Sequence, residues 1–415
     1  MEKLPEELLD HIVCEVMNPL PNRYNTSYGY LLDLSMVSRK FRRITETYIY
    51  RSLIMFGDNE AELLQTMSSR PELSRHTRGI HIMAYYRLPS KVLDFVLRLP
   101  NLQRLDIDIV SCRLSKVIPI LRLPSITVLI LSDVSLQRSY SRDERDWTFV
   151  NDNITYLEIS FSSSDIVWED GEEMRSFAAV FRKLQCLHIN SIYKGPDAAS
   201  LNSPAFRCLV HMFKHAFETT LRDFSFMYND LDHGDMYGGD VGVSARFDAR
   251  AILRHSRLEH LMIDTICLDT PRHTQALRSL ALGPSCLPAS LHTLYVRHLV
   301  ASGNLNPVEK NLMHSDEAQC LSQLVNLAAR RLRFPHLERM TLAISLPAFF
   351  EEVASRVVRV QSRQAKVPLE LMFMSHWDYI SDYTPRSWPD YDAARDPRQS
   401  LYDPTYISYD NKGLC

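Results

Sequence analysis

At 415 residues the chain is too long for one ordinary core, so either several units or one repeat array that grows by addition is expected. Apolar residues make up 45% and charged residues 23%, near globular averages, whereas 12 glycines are few enough to disfavour phosphate-cradling loops. A net charge of −3 provides no general attraction to nucleic acid. The opening MEKLPEELLDHIV carries acids among its apolar residues, unlike a secretory signal, and no run has the length of a membrane span. The 8 cysteines are scattered without a Cys-x-x-Cys pair, which reads as reduced thiols in a cytoplasmic and/or nuclear protein.

Leu4-Pro5-Glu6-Glu7 opens a helix: proline at the first turn needs no donor, and acids sit at the positive end of the macrodipole. Leu8, Ile12 and Val16 recur every four residues, with Leu9 and Val13 widening the stripe, so the spacing predicts an amphipathic helix over Pro5–Met17. A connection over Asn18–Tyr30, rich in Pro, Asn and Gly, ends it. A second helical stretch places Leu31, Leu34, Val37, Phe41 and Ile44 on one face and Arg39, Lys40, Arg42 and Arg43 on the other. Fifty such residues bury little apolar surface alone, so a covering partner is expected.

Leu4-Pro5-x-Glu7-Leu8 with Ile12, then Leu34-x-x-Val37-Ser38-Arg39-x-Phe41-Arg42, then Tyr48-x-Tyr50, resembles the F-box. The resemblance implies a three-helix F-box domain at 1–51 that docks into the groove of a Skp-type adaptor linked to a cullin scaffold. The adaptor contact then falls to Leu4, Pro5, Leu8, Ile12, Leu34, Val37, Ser38 and Phe41. The connection Asn18–Tyr30 is longer than the family's usual one, and Ser38 stands where many members carry Cys.

Downstream, one signature recurs: an apolar residue, two variable ones, then an apolar, variable, apolar triplet. It begins at Leu102, Ile126, Ile154, Leu184, Leu221, Leu258, Leu291 and Leu337, with weaker copies at Ile80-His81-Ile82 and Leu369-Glu370-Leu371. Each triplet alternates as a half-buried strand does. Helical spacing lies between many of them: Val92, Phe95, Val96 and Leu99; Phe177, Val180 and Phe181; Ile252 and Leu253; and Leu321 to Leu332. No helix-strand unit can bury both faces alone, which favours stacking.

Copies are 24 residues apart at first and up to 46 later, without the asparagine that regular leucine-rich repeats place after the strand. The expected fold is therefore α/β: an irregular leucine-rich-repeat-like solenoid with a parallel sheet over 52–374, resembling those of fungal F-box proteins. A doubly wound sheet is the alternative; it predicts a glycine-bearing ligand loop after the first strand, which is missing. In a solenoid, the middle residue of each triplet faces the concave, binding side. That row includes Asp106, Ile130, Glu158, His188, Ser225, Met262, Tyr295 and Thr341, joined two positions on by Asp108, Ser132, Asn190, Asp264 and Arg297. Its mixed character fits a protein target.

Other constellations carry little chemistry. His211 and His215 have zinc-compatible helical spacing but lack a third ligand nearby in sequence. Asp230-x-Asp232-x-Gly234-Asp235 misplaces the glycine of a calcium loop and ends on Val241 instead of Glu. Gly238-Gly239-x-x-Gly242 reads as a flexible turn, and the adjacent acids Glu172-Glu173 and Glu351-Glu352 point to different faces. No hydrolase, nucleotide-binding, metalloprotease or kinase motif occurs, so no catalysis, metal or cofactor is expected. The tail 375–415 concentrates Trp377, Tyr379, Tyr383, Trp388, Tyr391, Tyr402, Tyr406 and Tyr409 among Asp and Pro.

Together these features predict a non-catalytic substrate-recognition subunit of a Skp-cullin-F-box ubiquitin ligase. Its partners are the adaptor, the cullin and a protein target, with neither nucleic acid nor membrane. The alternative is a repeat scaffold whose F-box-like helices serve assembly without ubiquitin transfer.

Overall fold

The structure is a computed structural model that describes residues 4–17, 24–57, 59–84, 88–135, 149–162, 177–192, 213–228, 257–264, 287–298, 319, 334–344 and 369–373. Three helices come first: α1 (Glu6–Met17), α2 (Tyr24–Val37) and α3 (Arg39–Ile49). Then follow β1 (Ser52–Phe56), α4 (Glu60–Ser69), a 3-10 turn (Pro71–Arg75), β2 (Gly79–Ala84), α5 (Ser90–Val96), β3 (Arg104–Arg113), α6 (Leu114–Leu121) and β4 (Val128–Ser135). Beyond these lie β5 (Tyr156–Ser162), β6 (Cys186–Ile192), α7 (Lys214–Thr219), β7 (Asp223–Tyr228), β8 (His260–Asp264), β9 (Thr293–His298), β10 (Arg339–Ile344) and β11 (Leu369–Phe373). The fold class is α/β with parallel strand pairing, β1 with β2 and, further on, β5 to β11 in sequence order.

Contacts divide the described residues into two units, one up to Asp108 with Ser125–Val128, the other comprising Ile109–Pro124 and Leu129 onward. In the first, Leu9, Val13, Leu31, Phe41 and Ile44 form the helical core, with Leu4, Leu34, Tyr48 and Ile49 packed against it. The helical stretch expected from Leu31 to Ile44 is two helices, and the expected connection is shorter because α2 already starts at Tyr24. Ser38 causes the break. Its backbone is extended (φ −161°, ψ 163°), and its hydroxyl accepts from the Phe41 N–H at 3.2 Å, satisfying a donor that the first turn of α3 leaves free. Glu46 of α3 takes a two-pronged hydrogen bond from Arg70 at the end of α4 (2.8 and 2.9 Å). That guanidinium, with help from Arg42, holds the Glu46 carboxyl below the usual carboxylate range.

All eight predicted signatures form strands, β3 to β10, and the two weaker copies form β2 and β11. β1, whose triplet is Leu53-Ile54-Met55, is not among the predicted strands. In the second unit the triplet ends stack in register as Leu157, Leu187, Phe224, Leu261, Leu294, Met340 and Leu369, then Ile159, Ile189, Phe226, Ile263, Val296, Leu342 and Leu371. The described side chains of the first six of each row are buried, so these two ladders are the core. Phe217 of α7 seals it edge-to-face on Phe224 (centroids 4.8 Å apart).

A backbone fork recurs at the strand entrances. The Thr155 carbonyl accepts from the N–H groups of both Gln185 and Cys186 (2.8 and 3.0 Å). Gln185 accepts likewise from Arg222 and Asp223, Arg222 from Glu259 and His260, Glu259 from His292 and Thr293, and His292 from Glu338 and Arg339. In the first unit Arg51, Arg78 and Gln103 do the same toward 78–79, 103–104 and 127–128. Side chains just ahead of the strands supplement the fork: Thr220 Oγ1 donates to the Leu184 carbonyl (2.6 Å) and Ser290 Oγ to that of Leu258 (2.7 Å). The predicted helices at 252–253 and 321–332, the pair member His211, the 230–242 loop, the acid pairs and the aromatic tail lie outside the described residues.

Candidate functional site

Two places concentrate features that a fold alone does not demand. The first is on the N-terminal helices. Leu8 (51% exposed) and Ile12 project from α1, and Leu32, Met36 (86%) and Val37 (55%) from the end of α2, with Tyr30 beside them in sequence also exposed. Soluble surfaces carry single apolar residues freely, and six large ones among the described residues of the first fifty are a concentration of them. Of the predicted adaptor-contact residues, Pro5, Leu8, Ile12 and Val37 are exposed, and Leu4 and Leu34 are half-buried against the helical core. Phe41 is buried in that core and Ser38 caps α3, so these two support the surface from within. Lys40 Nζ donates to the Leu4 carbonyl (2.5 Å), Tyr48 Oη donates to Asp10 (2.9 Å), and Arg43 pairs with Glu6, tying the Leu-Pro opening to α3.

The second place is the polar face of β5, β6 and β7. The register aligns Tyr156 with Cys186 and Cys186 with Asp223; one pleat on, Glu158 aligns with His188 and His188 with Ser225. All six side chains therefore share one face. Tyr156 Oη donates to Glu158 Oε2 at 3.0 Å and lies 2.9 Å from His188 Nδ1. A phenol has one proton; having given it to the carboxylate, it accepts from Nδ1–H. Nδ1 therefore carries a proton, and Nε2 faces Cys186 Sγ at 3.1 Å and Asp223 Oδ1 at 3.7 Å. Burial drives the imidazole toward its neutral form, but the Asp223 and Glu158 carboxylates outweigh it and raise the His188 pKa. Cys186, His188 and Asp223 are only 2%, 1% and 3% exposed, and their donor atoms all lie within 4.8 Å of one another.

Comparison with protein-family models and with curated proteins yields no match.

The face expected to be an open recognition surface is mostly closed. Ile130, Glu158, His188, Ser225, Tyr295, Arg297 and Thr341 are buried, while Asp106, Asp108 and Met262 are half-buried. Neighbouring parallel strands lie under 5 Å apart, so long polar side chains on one face press against one another and lose their water. Ser132 is half-buried; Asn190 and Asp264 occupy the next row by register, and their side chains are outside the described set. Sequence reasoning found His188 and Glu158 but missed Tyr156, Cys186 and Asp223, which sit at the second variable position of the signature. That position shares the face of the triplet's middle residue, two places earlier, and so was readable as a second row. No helix among the described residues is long and apolar enough to cross a membrane.

Proposed function

We propose that this protein is the substrate-recognition subunit of a cullin-RING ubiquitin ligase of the Skp-cullin-F-box type. The N-terminal helices act as an F-box that docks a Skp-type adaptor. The strand-helix region is an irregular leucine-rich-repeat-like solenoid that holds a protein target. The chain itself performs no chemistry; it contributes proximity and orientation.

The observation that carries the reading is the exposed apolar set Leu8, Ile12, Leu32, Met36 and Val37 on a unit whose own core is already filled by Leu9, Val13, Leu31, Phe41 and Ile44. An amphipathic helix that is apolar on both its buried and its exposed flank asks for a second partner. The repeat half of the proposal draws support from the sequential parallel order and from the fork at the strand entrances, which makes neighbouring segments equivalent.

Affinity capture of the tagged protein with the Skp-type adaptor and cullin tests the reading. Leu8→Ala with Val37→Ala, both outside the core, is expected to abolish capture, since truncating anchors of an interface costs about 2 kcal/mol or more each. Undiminished capture by the double variant refutes the docking face. Intact capture without any change in ubiquitination of bound targets replaces the ligase reading with the scaffold one.

A further inference from the structure

We propose that Cys186, His188 and Asp223 form a binding site for a zinc-type divalent cation on the polar face of β6 and β7. Three independent observations converge on it. The first is distance. Around a tetrahedral zinc with sulfur at about 2.3 Å and nitrogen or oxygen near 2.0–2.1 Å, donor atoms stand about 3.3–3.6 Å apart. Here Sγ to Nε2 is 3.1 Å and Nε2 to Oδ1 is 3.7 Å, with all three donors inside 4.8 Å. A cation at their centre therefore draws the donors together by about 1 Å at most, on the ligand distances of a tetrahedral zinc.

The second observation is the tautomer. The Tyr156 hydroxyl, committed to Glu158, accepts from Nδ1–H, so that Nε2 is the nitrogen available to a cation. Metal-binding histidines are commonly oriented by such an outer partner. Glu158 adds its charge 3.9 Å from the ring.

The third is Asp223. Among the described residues neither of its carboxylate oxygens has a hydrogen-bond partner, although the side chain is buried. A buried carboxylate is costly unless charge or hydrogen bonds compensate it. The nearest polar group, His188 Nε2, stands 3.7 Å away, beyond hydrogen-bond reach; a cation bound to Oδ1 supplies the missing compensation. The donor set of one thiolate, one imidazole and one carboxylate suits zinc better than magnesium or calcium, which favour oxygen ligands. Burial of all three speaks for an ion that clamps β6 to β7, with water as the fourth ligand, and against a thiol nucleophile reached by substrate.

Full-length protein stripped with a chelator and titrated with Co2+ tests the site, because tetrahedral cobalt-thiolate centres show visible ligand-field bands and a sulfur-to-metal charge-transfer band. One Co2+ per chain with that band, displaced by Zn2+ and accompanied by a higher Tm, is the expected result. Cys186→Ser removes the charge-transfer band, and Asp223→Asn and His188→Gln weaken binding. Tyr156→Phe, which keeps every ligand, weakens it about 10- to 100-fold. A titration without the band, or a band that survives Cys186→Ser and so arises from another of the 8 cysteines, overturns the assignment. Should the variants fail to fold, X-ray absorption of the zinc-loaded wild type decides instead: one sulfur with nitrogen and oxygen neighbours supports the site, and an all-nitrogen-and-oxygen or multi-sulfur shell refutes it.

Discussion

His81, on β2, is the middle residue of one of the weaker triplets and is buried. Burial lowers its pKa to about 4, with Arg104 reinforcing the shift and Asp108 opposing it; Asp106 lies 3.9 Å from Nε2. A histidine depressed below its unfolded value of about 6.5 binds its proton more readily in the unfolded chain. Its contribution to stability is full above pH 6.5 and is lost as pH falls toward 4. Lowering the pH from 7.5 to 5 is expected to remove about 2 kcal/mol through this group alone. His81→Gln should therefore flatten the acid limb of a urea-denaturation series between those two values. An unchanged slope in the variant would assign the acid sensitivity to other groups.

At the scale of an element, the end of α2 and the start of α3 hinge on Ser38. Removal of its hydroxyl leaves the Phe41 N–H without its cap, and Ser38→Ala is expected to cost about 1 kcal/mol. A urea midpoint identical to wild type would show that the cap is dispensable. The break itself was hidden in the sequence, since Leu34, Val37, Phe41 and Ile44 keep a helical spacing straight across it. Periodicity reports which face is buried and is blind to a single extended residue between two helices of the same polarity pattern. The strands were far more legible. A period of two over three residues, preceded at fixed distance by another apolar residue, leaves few other conformations, and every one of the eight copies is a strand. The polar cluster was legible only in half. Cys186 and His188 are two apart and must share a face, but Asp223 is brought to Cys186 by pairing of β6 with β7, a register that no spacing along the chain reveals.

For the molecule as a whole, stability depends on each strand keeping its two apolar ladders inward. One alanine inserted between Ser225 and Phe226 turns Phe226 and everything after it in β7 to the opposite face. Loss of a buried phenylalanine from a core costs about 3–5 kcal/mol, a large share of the stability of an ordinary domain. The insertion is expected to abolish cooperative unfolding of the second unit, read by circular dichroism and limited proteolysis. A native-like melt would mean that β7 can slip without penalty. The expected fold class stands at the level of an α/β architecture with a parallel sheet, and the expected open binding face is the main departure. Sequence identifies which residues leave the core but not how tightly their neighbours on the same face close over them.

The forked carbonyls at the strand entrances bear on how such a chain can change. From Leu102 to Ile126 the signatures are 24 residues apart and from Leu291 to Leu337 they are 46, yet the fork links the same two positions at the start of the strand in each case. Each entrance so joined is measured from the carbonyl of the segment before it, so the count restarts there. Additions to a connection are absorbed there and never propagate as a phase error. Evolution is thus free to lengthen what lies between the strands while every ladder of the sheet stays in step, and a sequence can drift beyond easy comparison without losing its architecture.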